Sequence, residues 1–195
     1  MKASRNRKEN ILNAALSCFT EFGYHKASMD MIAESAEITK RGLYYHFKSK
    51  DDLFIALFKF RGKTYFNLLN NDGFSPSSGS EQRLRLYLAR GVKALEKDDL
   101  FMCFLVEFVS IAVRNPKVRK VVTDHYRGSI QSIKQLLDAG VATGEFIAHP
   151  TEKMARTLYF SGLGKYFARC SFAGGLDLSD QHMFDVEQLL AGIRT

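Results

Sequence analysis

Apolar residues recur every three or four positions along most of this chain, and only three prolines interrupt its 195 residues. That spacing lines the apolar side chains along one face of a helix. A proline inside a helix removes a backbone donor and clashes with the preceding turn, so a chain this poor in proline can carry long helices. No run of useful length alternates polar and apolar residues with period two, the pattern of a half-buried strand. The chain therefore reads as all-α.

The first helix is expected over about 7–22, with Ile11, Ala15 and Phe19 in one stripe and Leu12 and Leu16 beside it. Gly23 is expected to close it as a left-handed cap. Ser28 caps a short helix over 29–35. After a turn at 36–38, Thr39 caps another over 40–47 that turns Leu43 and Phe47 inward. Ser49 caps a longer helix over 50–70, and NDGFSPSSGS at 71–80 has the composition of a loop. Helices follow over about 81–97, 100–113 and 116–139, the last opening on Pro116. Gly140 and Gly144 are expected breaks. His149 and Pro150 open a helix to about 170, Gly174 and Gly175 break it, and Ser179 or Asp180 caps a final helix to about 193. The total is about nine helices, divided into a small module over 1–50 and a larger body over 51–195.

Hydrophobic residues make up 46% of the chain and 16 of its residues are Phe, enough for a real core and too many for wholesale disorder. The opening MKASRNRKEN lacks the apolar segment of a signal peptide. The longest apolar run, 100–113, is interrupted by Glu107 and Ser110 and is too short to span a bilayer. A cytoplasmic protein without a membrane partner is expected. Cys18, Cys103 and Cys170 lie more than sixty residues apart, with no Cys-x-x-Cys pair or compact Cys/His cluster, so they read as structural thiols and no metal site or cofactor is expected.

Charge is uneven. The formal net charge is +7, and residues 1–50 hold nine Lys and Arg against five Asp and Glu. An excess of that sign suits a polyanion. Within this module, two short helices joined by a tight turn have the helix-turn-helix form, whose second helix can enter a DNA major groove. Lys40 and Arg41 occupy the first turn of that second helix, and Tyr44 and Tyr45 follow one turn later. Arg and Lys pair with guanine acceptors or phosphate, and Tyr hydroxyls donate to phosphate. Helix N-termini at Ser28, Thr39 and Ser49 offer free backbone N–H groups, and Lys48 and Lys50 extend the basic rim. A solvated basic surface is the other reading of the same residues. Adjacent Tyr44 and Tyr45 argue against it in part, because both cannot be core on a short helix.

The segment from Ile11 to about Leu57 resembles the DNA-binding domain of the TetR family of bacterial transcriptional regulators. The matching text is ILNAALSCFTEFGYHKAS followed by MDMIAESAEITKRGLYYHFKSKDDLF. It carries the family's Ala-Ala and Phe helix, Phe-Gly-Tyr, an Ile-Ala pair and Leu-Tyr-x-His-Phe-x-x-Lys in order and spacing. The resemblance implies that Ser28 contacts phosphate and that Thr39, Lys40, Arg41 and Gly42 read bases. It implies that Tyr44, Tyr45 and His46 contact the backbone and brace the helix, and that Lys50 meets phosphate. His46 otherwise reads as a packing and hydrogen-bonding histidine. Two positions depart from the pattern. Glu37 stands where the turn commonly has Gly, which costs backbone strain and places a carboxylate near DNA. Ala27 stands where Thr is common.

The body reads as a sensor. Phe101, Met102, Phe104 and Phe108, with Phe160 and Tyr166, could line a pocket for a small apolar or aromatic effector, or could be plain core. Glu107 is the odd polar residue, either a pocket group or half of a structural pair. The last two long helices are the dimerisation candidates. There Ser161 and Gly162 allow close approach, and Met154, Leu158, Met183, Val186, Leu190 and Ile193 supply apolar area. The resemblance implies a homodimer on palindromic double-stranded DNA that an effector releases, most simply a repressor, with the helix over 50–70 as lever. No Glu-x-x-His or comparable catalytic constellation marks an enzyme. The alternative is a helical protein-interaction module that has lost specific DNA binding, for which Glu37 is the sole support.

Overall fold

Caps and close contacts set the element boundaries. The structure is a computed structural model and describes residues 2–70, 78–172 and 177–195. Nine helices occur among the described residues: α1 (Lys2–Lys26), α2 (Met29–Ser35), α3 (Lys40–His46), α4 (Lys50–Asn70), α5 (Ser80–Glu96), α6 (Asp99–Ala112), α7 (Pro116–Ala142), α8 (Thr151–Ser171) and α9 (Leu178–Ala191). Most of the expected loop over 71–80 and the expected break at Gly174 and Gly175 lie outside the described residues. The only β feature described is one isolated antiparallel bridge between Phe146 and Arg194. Among the described residues no helix is long and apolar enough to cross a membrane.

Three local expectations need correction. Gly23 does not end α1 as a left-handed cap. Its φ of 74° is positive, but its ψ of 161° is extended, so the chain bends there and helix resumes to Lys26. Gly140 does not break α7. A β-carbon at Gly140 would stand 2.2 Å from Phe146 Cδ2, so this glycine admits the ring against an unbroken helix. The final helix is capped by Asp177, which accepts from the Asp180 amide at 2.8 Å. The Ser179 amide and hydroxyl both go to Glu96 instead.

The chain forms two compact units, and their boundary is not at residue 50. One takes Met1–Thr64 and Asp99–Val122; the other takes Tyr65–Asp98 and Thr123–Thr195. The first unit therefore recruits α6 and the start of α7. Its core is aromatic. Phe54 lies 4.9 Å from Phe19, 4.7 Å from Tyr24, and 5.0 Å from both Phe104 and Phe108, between ring centroids. Phe58 stacks on Phe108 at 4.3 Å. The buried face of α6, with Phe101, Met102, Phe104 and Phe108, is a wall of this core.

The second unit has its own core of Leu84, Leu88, Ile130, Ile133, Leu137, Phe146, Ala155, Leu158, Val186, Leu190 and Ile193. This corrects the expected dimer face. Leu158, Gly162, Val186, Leu190 and Ile193 are buried inside the single chain and have no area left for a partner, and Met154 and Met183 pack partly against the same core. Ser161 is engaged as well. Its hydroxyl donates to Asp185 at 2.8 Å and accepts from the Lys165 ammonium at 2.6 Å. The apolar groups that α8 and α9 do expose are Phe160 and Phe184, at 51% and 59%.

His182 lies over Gly162, 3% exposed, with Nδ1 unpartnered. Burial, reinforced by Lys165 and opposed by Asp185, pushes its pKa from 6.5 down to about 4. The unfolded chain thus binds this proton near pH 6.5 and the folded chain only near 4. Between those values the unfolded state holds more protons, so stability falls as pH drops through the window. His125, pushed to about 4 by burial, adds a parallel slope. The urea midpoint followed from pH 7 to 4 should decline, and His182→Asn should roughly halve that decline; an unchanged slope contradicts the assignment.

Candidate nucleic-acid interface

Side-chain N-caps start both helices of the helix-turn-helix. Ser28 Oγ accepts from the Met31 amide at 3.1 Å, and Thr39 Oγ1 accepts from the Gly42 amide at 3.1 Å. These bonds satisfy donors that helix starts leave open. They also occupy one acceptor of each hydroxyl, while the hydroxyl proton stays available to phosphate. Between the two helices, the Ile38 amide donates to Ala33 O at 3.0 Å and closes the turn. Glu37 sits inside it with φ 53°, the one non-glycine residue described at positive φ. The strain expected of a side chain at this position is thus present.

Buried Leu43 anchors α3 and turns the opposite face outward. Tyr45 is 86% exposed and Tyr44 43%, and Arg41 and Lys48 are exposed too. His46 is half-buried, edge-on to Tyr45 at 5.3 Å. Lys40 is less free than its position suggested. Its ammonium meets Asp30 at 2.8 Å, and that bond holds its pKa above the usual lysine value. Beside α3 runs a groove of about 530 Å³ lined by Arg7, Glu37, Ile38, Thr39, Gly42, Tyr45 and His46. Sequence reasoning missed Arg7. Starting the helix at residue 7 left that residue at an end, whereas α1 begins at Lys2 and sets Arg7 on a formed turn.

Lys50 has a different task from phosphate binding. Its Nζ donates to Tyr24 O at 2.7 Å, Ala27 O at 2.9 Å and His25 O at 3.3 Å, and lies 4.6 Å from the Tyr24 ring centroid. It caps the carbonyl end of α1. Burial lowers its pKa, against the pull of Asp51. The same bend engages Glu107, whose Oε1 accepts from the Tyr24 amide at 2.7 Å. Gly23 breaks the helical bonding there, and the carboxylate supplies the acceptor that Tyr24 N–H has lost. Glu107 is therefore a structural partner rather than a pocket group. The Tyr24 hydroxyl donates to Asp51, which also accepts from Asn115 Nδ2 at 3.0 Å. The Tyr24 bond leads in holding the Asp51 carboxyl below its usual value. Asn115 Oδ1 in turn accepts from the Lys117 and Val118 amides and caps α7. One network thus joins the bend of α1, the start of α4, α6 and the start of α7.

The expected effector residues separate. Phe101, Met102, Phe104 and Phe108 are buried in the aromatic core of the first unit. Phe160 and Tyr166 belong to the second unit. There Phe160 stacks on Tyr126 at 5.5 Å, and Tyr126 meets Tyr159 edge-on at 5.4 Å. Among the thiols, Cys18 is buried, but Cys103 is exposed rather than packed. No group of three His, Cys, Asp or Glu able to hold a metal occurs among the described residues.

Comparison with known proteins places this geometry. Residues 11–57 match the model of bacterial regulatory proteins of the tetR family. The fatty acid metabolism regulator protein of Bacillus subtilis is 24% identical over 160 residues, covering 82% of this chain and 81% of that protein. The HTH-type transcriptional regulator RutR of Escherichia coli K12 is 34% identical over 89 residues, 45% of this chain and 42% of that one. A TetR-like transcriptional regulator from Rhodococcus sp. RHA1 superposes with a TM-score of 0.75 at 25% identity, covering 95% of this chain and 94% of its own. A TetR transcription regulator from Haloarcula marismortui shares the fold with a TM-score of 0.87 at 17% identity over 98% and 100%. Residues 11–57 thus carry the helix-turn-helix of the tetR family of bacterial regulatory proteins, and nearly the whole chain shares the all-helical fold of solved TetR-like regulators.

Proposed function

We propose that this chain is a cytoplasmic, homodimeric transcriptional repressor that binds palindromic double-stranded DNA through α3 and leaves it when a small apolar or aromatic effector binds. The observation that carries the reading is the presentation of Arg41 and Tyr45 outward on a helix held by buried Leu43. A helix so anchored can bring Arg41 to base edges and Tyr45 to the backbone. Two copies place two such helices on two half-sites, and Phe160 and Phe184 supply apolar area for the pairing. The second unit takes the sensing role, its aromatic groups Tyr87, Tyr126 and Tyr159 suiting an aromatic or apolar effector. An effector can act only by binding the DNA-free conformation better than the DNA-bound one. The helices α4 and α7 each run from one unit into the other and are the covalent routes for that preference. The likeness to the Bacillus subtilis regulator over 82% of this chain supports fatty-acid metabolism as the regulated set.

Fluorescence anisotropy with the duplex upstream of the protein's own gene tests the reading. Binding should prefer that duplex over random DNA and weaken with salt. Arg41→Ala should relax preference at one base position by roughly 1–3 kcal/mol. Equal binding to every duplex would leave only the protein-interaction module. A monomer by light scattering would remove the paired half-sites.

A further inference from the structure

Arg41 and Lys48 have no ion pair among the described residues, but Lys40 does. Lys40 opens α3, and its partner Asp30 is the second residue of α2, so the pair ties the two starts of the helix-turn-helix together. The ammonium lies 2.8 Å from Asp30 Oδ1 and 2.9 Å from Oδ2. Both side chains stay largely exposed, at 61% and 62%. An ion pair so exposed adds little to stability. It does change what the lysine offers to DNA.

An unpaired lysine gains from any phosphate, because it neutralises a charge and releases a counterion. Lys40 is already neutralised. Moving its ammonium to a phosphate would leave the Asp30 carboxylate bare beside a polyanion, within a Debye length of about 8–10 Å. A base edge asks less. Guanine O6 and N7 are neutral acceptors, and an ammonium carries three N–H donors. Lys40 can therefore donate to a base without giving up its carboxylate, whereas a phosphate would have to compete with that carboxylate.

We propose that Asp30 is a positioning residue for sequence reading: it holds the Lys40 ammonium back from phosphate and leaves it to donate to a base edge. The inference rests on the DNA-binding reading above. The test uses duplexes that the wild-type protein selects from a randomised pool, beside an unrelated duplex of equal length. Both side chains are on the surface, so the variants should melt close to wild type, which thermal melts confirm. Asp30→Asn keeps the side-chain size and removes the charge. On the unrelated duplex it should bind severalfold tighter and steepen the slope of log affinity against log salt by about 0.9, the increment of one added phosphate contact. On the selected duplex the gain should be smaller, so preference falls. Asp30→Glu returns a carboxylate and should recover part of the preference. In a Lys40→Met background, Asp30→Asn should leave the slope unchanged, which separates an action through Lys40 from the carboxylate's own repulsion of DNA. A slope that steepens in that background overturns the proposal, as does an equal gain on both duplexes in Asp30→Asn. If wild-type protein selects no sequence, the DNA-binding reading falls and takes this inference with it. If Arg41→Ala loses preference while Asp30→Asn behaves as wild type, only this inference falls.

Discussion

Phe54→Ala is expected to cost about 3–5 kcal/mol of stability and to abolish DNA binding at temperatures where wild type is intact. Phe54 is fully buried and meets four other rings, from α1 and α6. Removing it leaves a cavity that Phe19, Phe104 and Phe108 cannot close without leaving their own contacts. A single domain has only about 5–15 kcal/mol in hand, so this loss is a large share. Urea unfolding followed by far-ultraviolet circular dichroism reads it directly. A loss under about 1 kcal/mol would mean that the ring cluster relaxes freely, as around a pre-existing pocket rather than a packed core. The experiment thus also decides whether the Phe-rich face of α6 is wall or binding site.

Lys50→Met is expected to destabilise the same unit by roughly 3 kcal/mol, because charged hydrogen bonds contribute more than neutral ones and the carbonyls left behind are hard to satisfy. The methionine keeps the apolar stem and removes only the ammonium that Tyr24 O, Ala27 O and His25 O share. A phosphate-contacting lysine behaves differently. Its loss weakens DNA binding and flattens the salt dependence while the melting temperature stays put. A lower melting temperature for Lys50→Met therefore supports the capping role. An unchanged melt with weakened DNA binding would return Lys50 to the DNA surface.

Much of the head was legible because its signals are local. Ser28 and Thr39 stand where N-caps belong, and each accepts the amide three residues on. The inward turn of Leu43 and Phe47 and the strain at Glu37 follow from periodicity and turn geometry within a few residues of chain. Gly140 shows where such reasoning fails. Its composition signals a break, yet the helix continues because Phe146 needs the space that a side chain would fill. Gly23 is a half case. Its positive φ was legible, but its extended ψ answers to Glu107, eighty-three residues away in sequence.

The amino-acid sequence by itself determined the helical class, the helix-turn-helix with its caps, and the basic surface that Arg41 and Tyr45 present. Those depend on the 3.6-residue period, on hydrogen bonds spanning three or four residues, and on residue charge. Only the tertiary structure decided which apolar residues are core, which lysines are free, and where one unit ends. Leu158, Val186, Leu190 and Ile193 carry the same pattern whether they face a partner or their own chain, and packing turned them inward. Lys40 and Lys50 look like neighbouring cations of one rim, yet one pairs with Asp30 and the other caps α1. The physical reason is the same throughout. Periodicity fixes a direction around a helix axis, but what stands in that direction comes from segments far away in sequence.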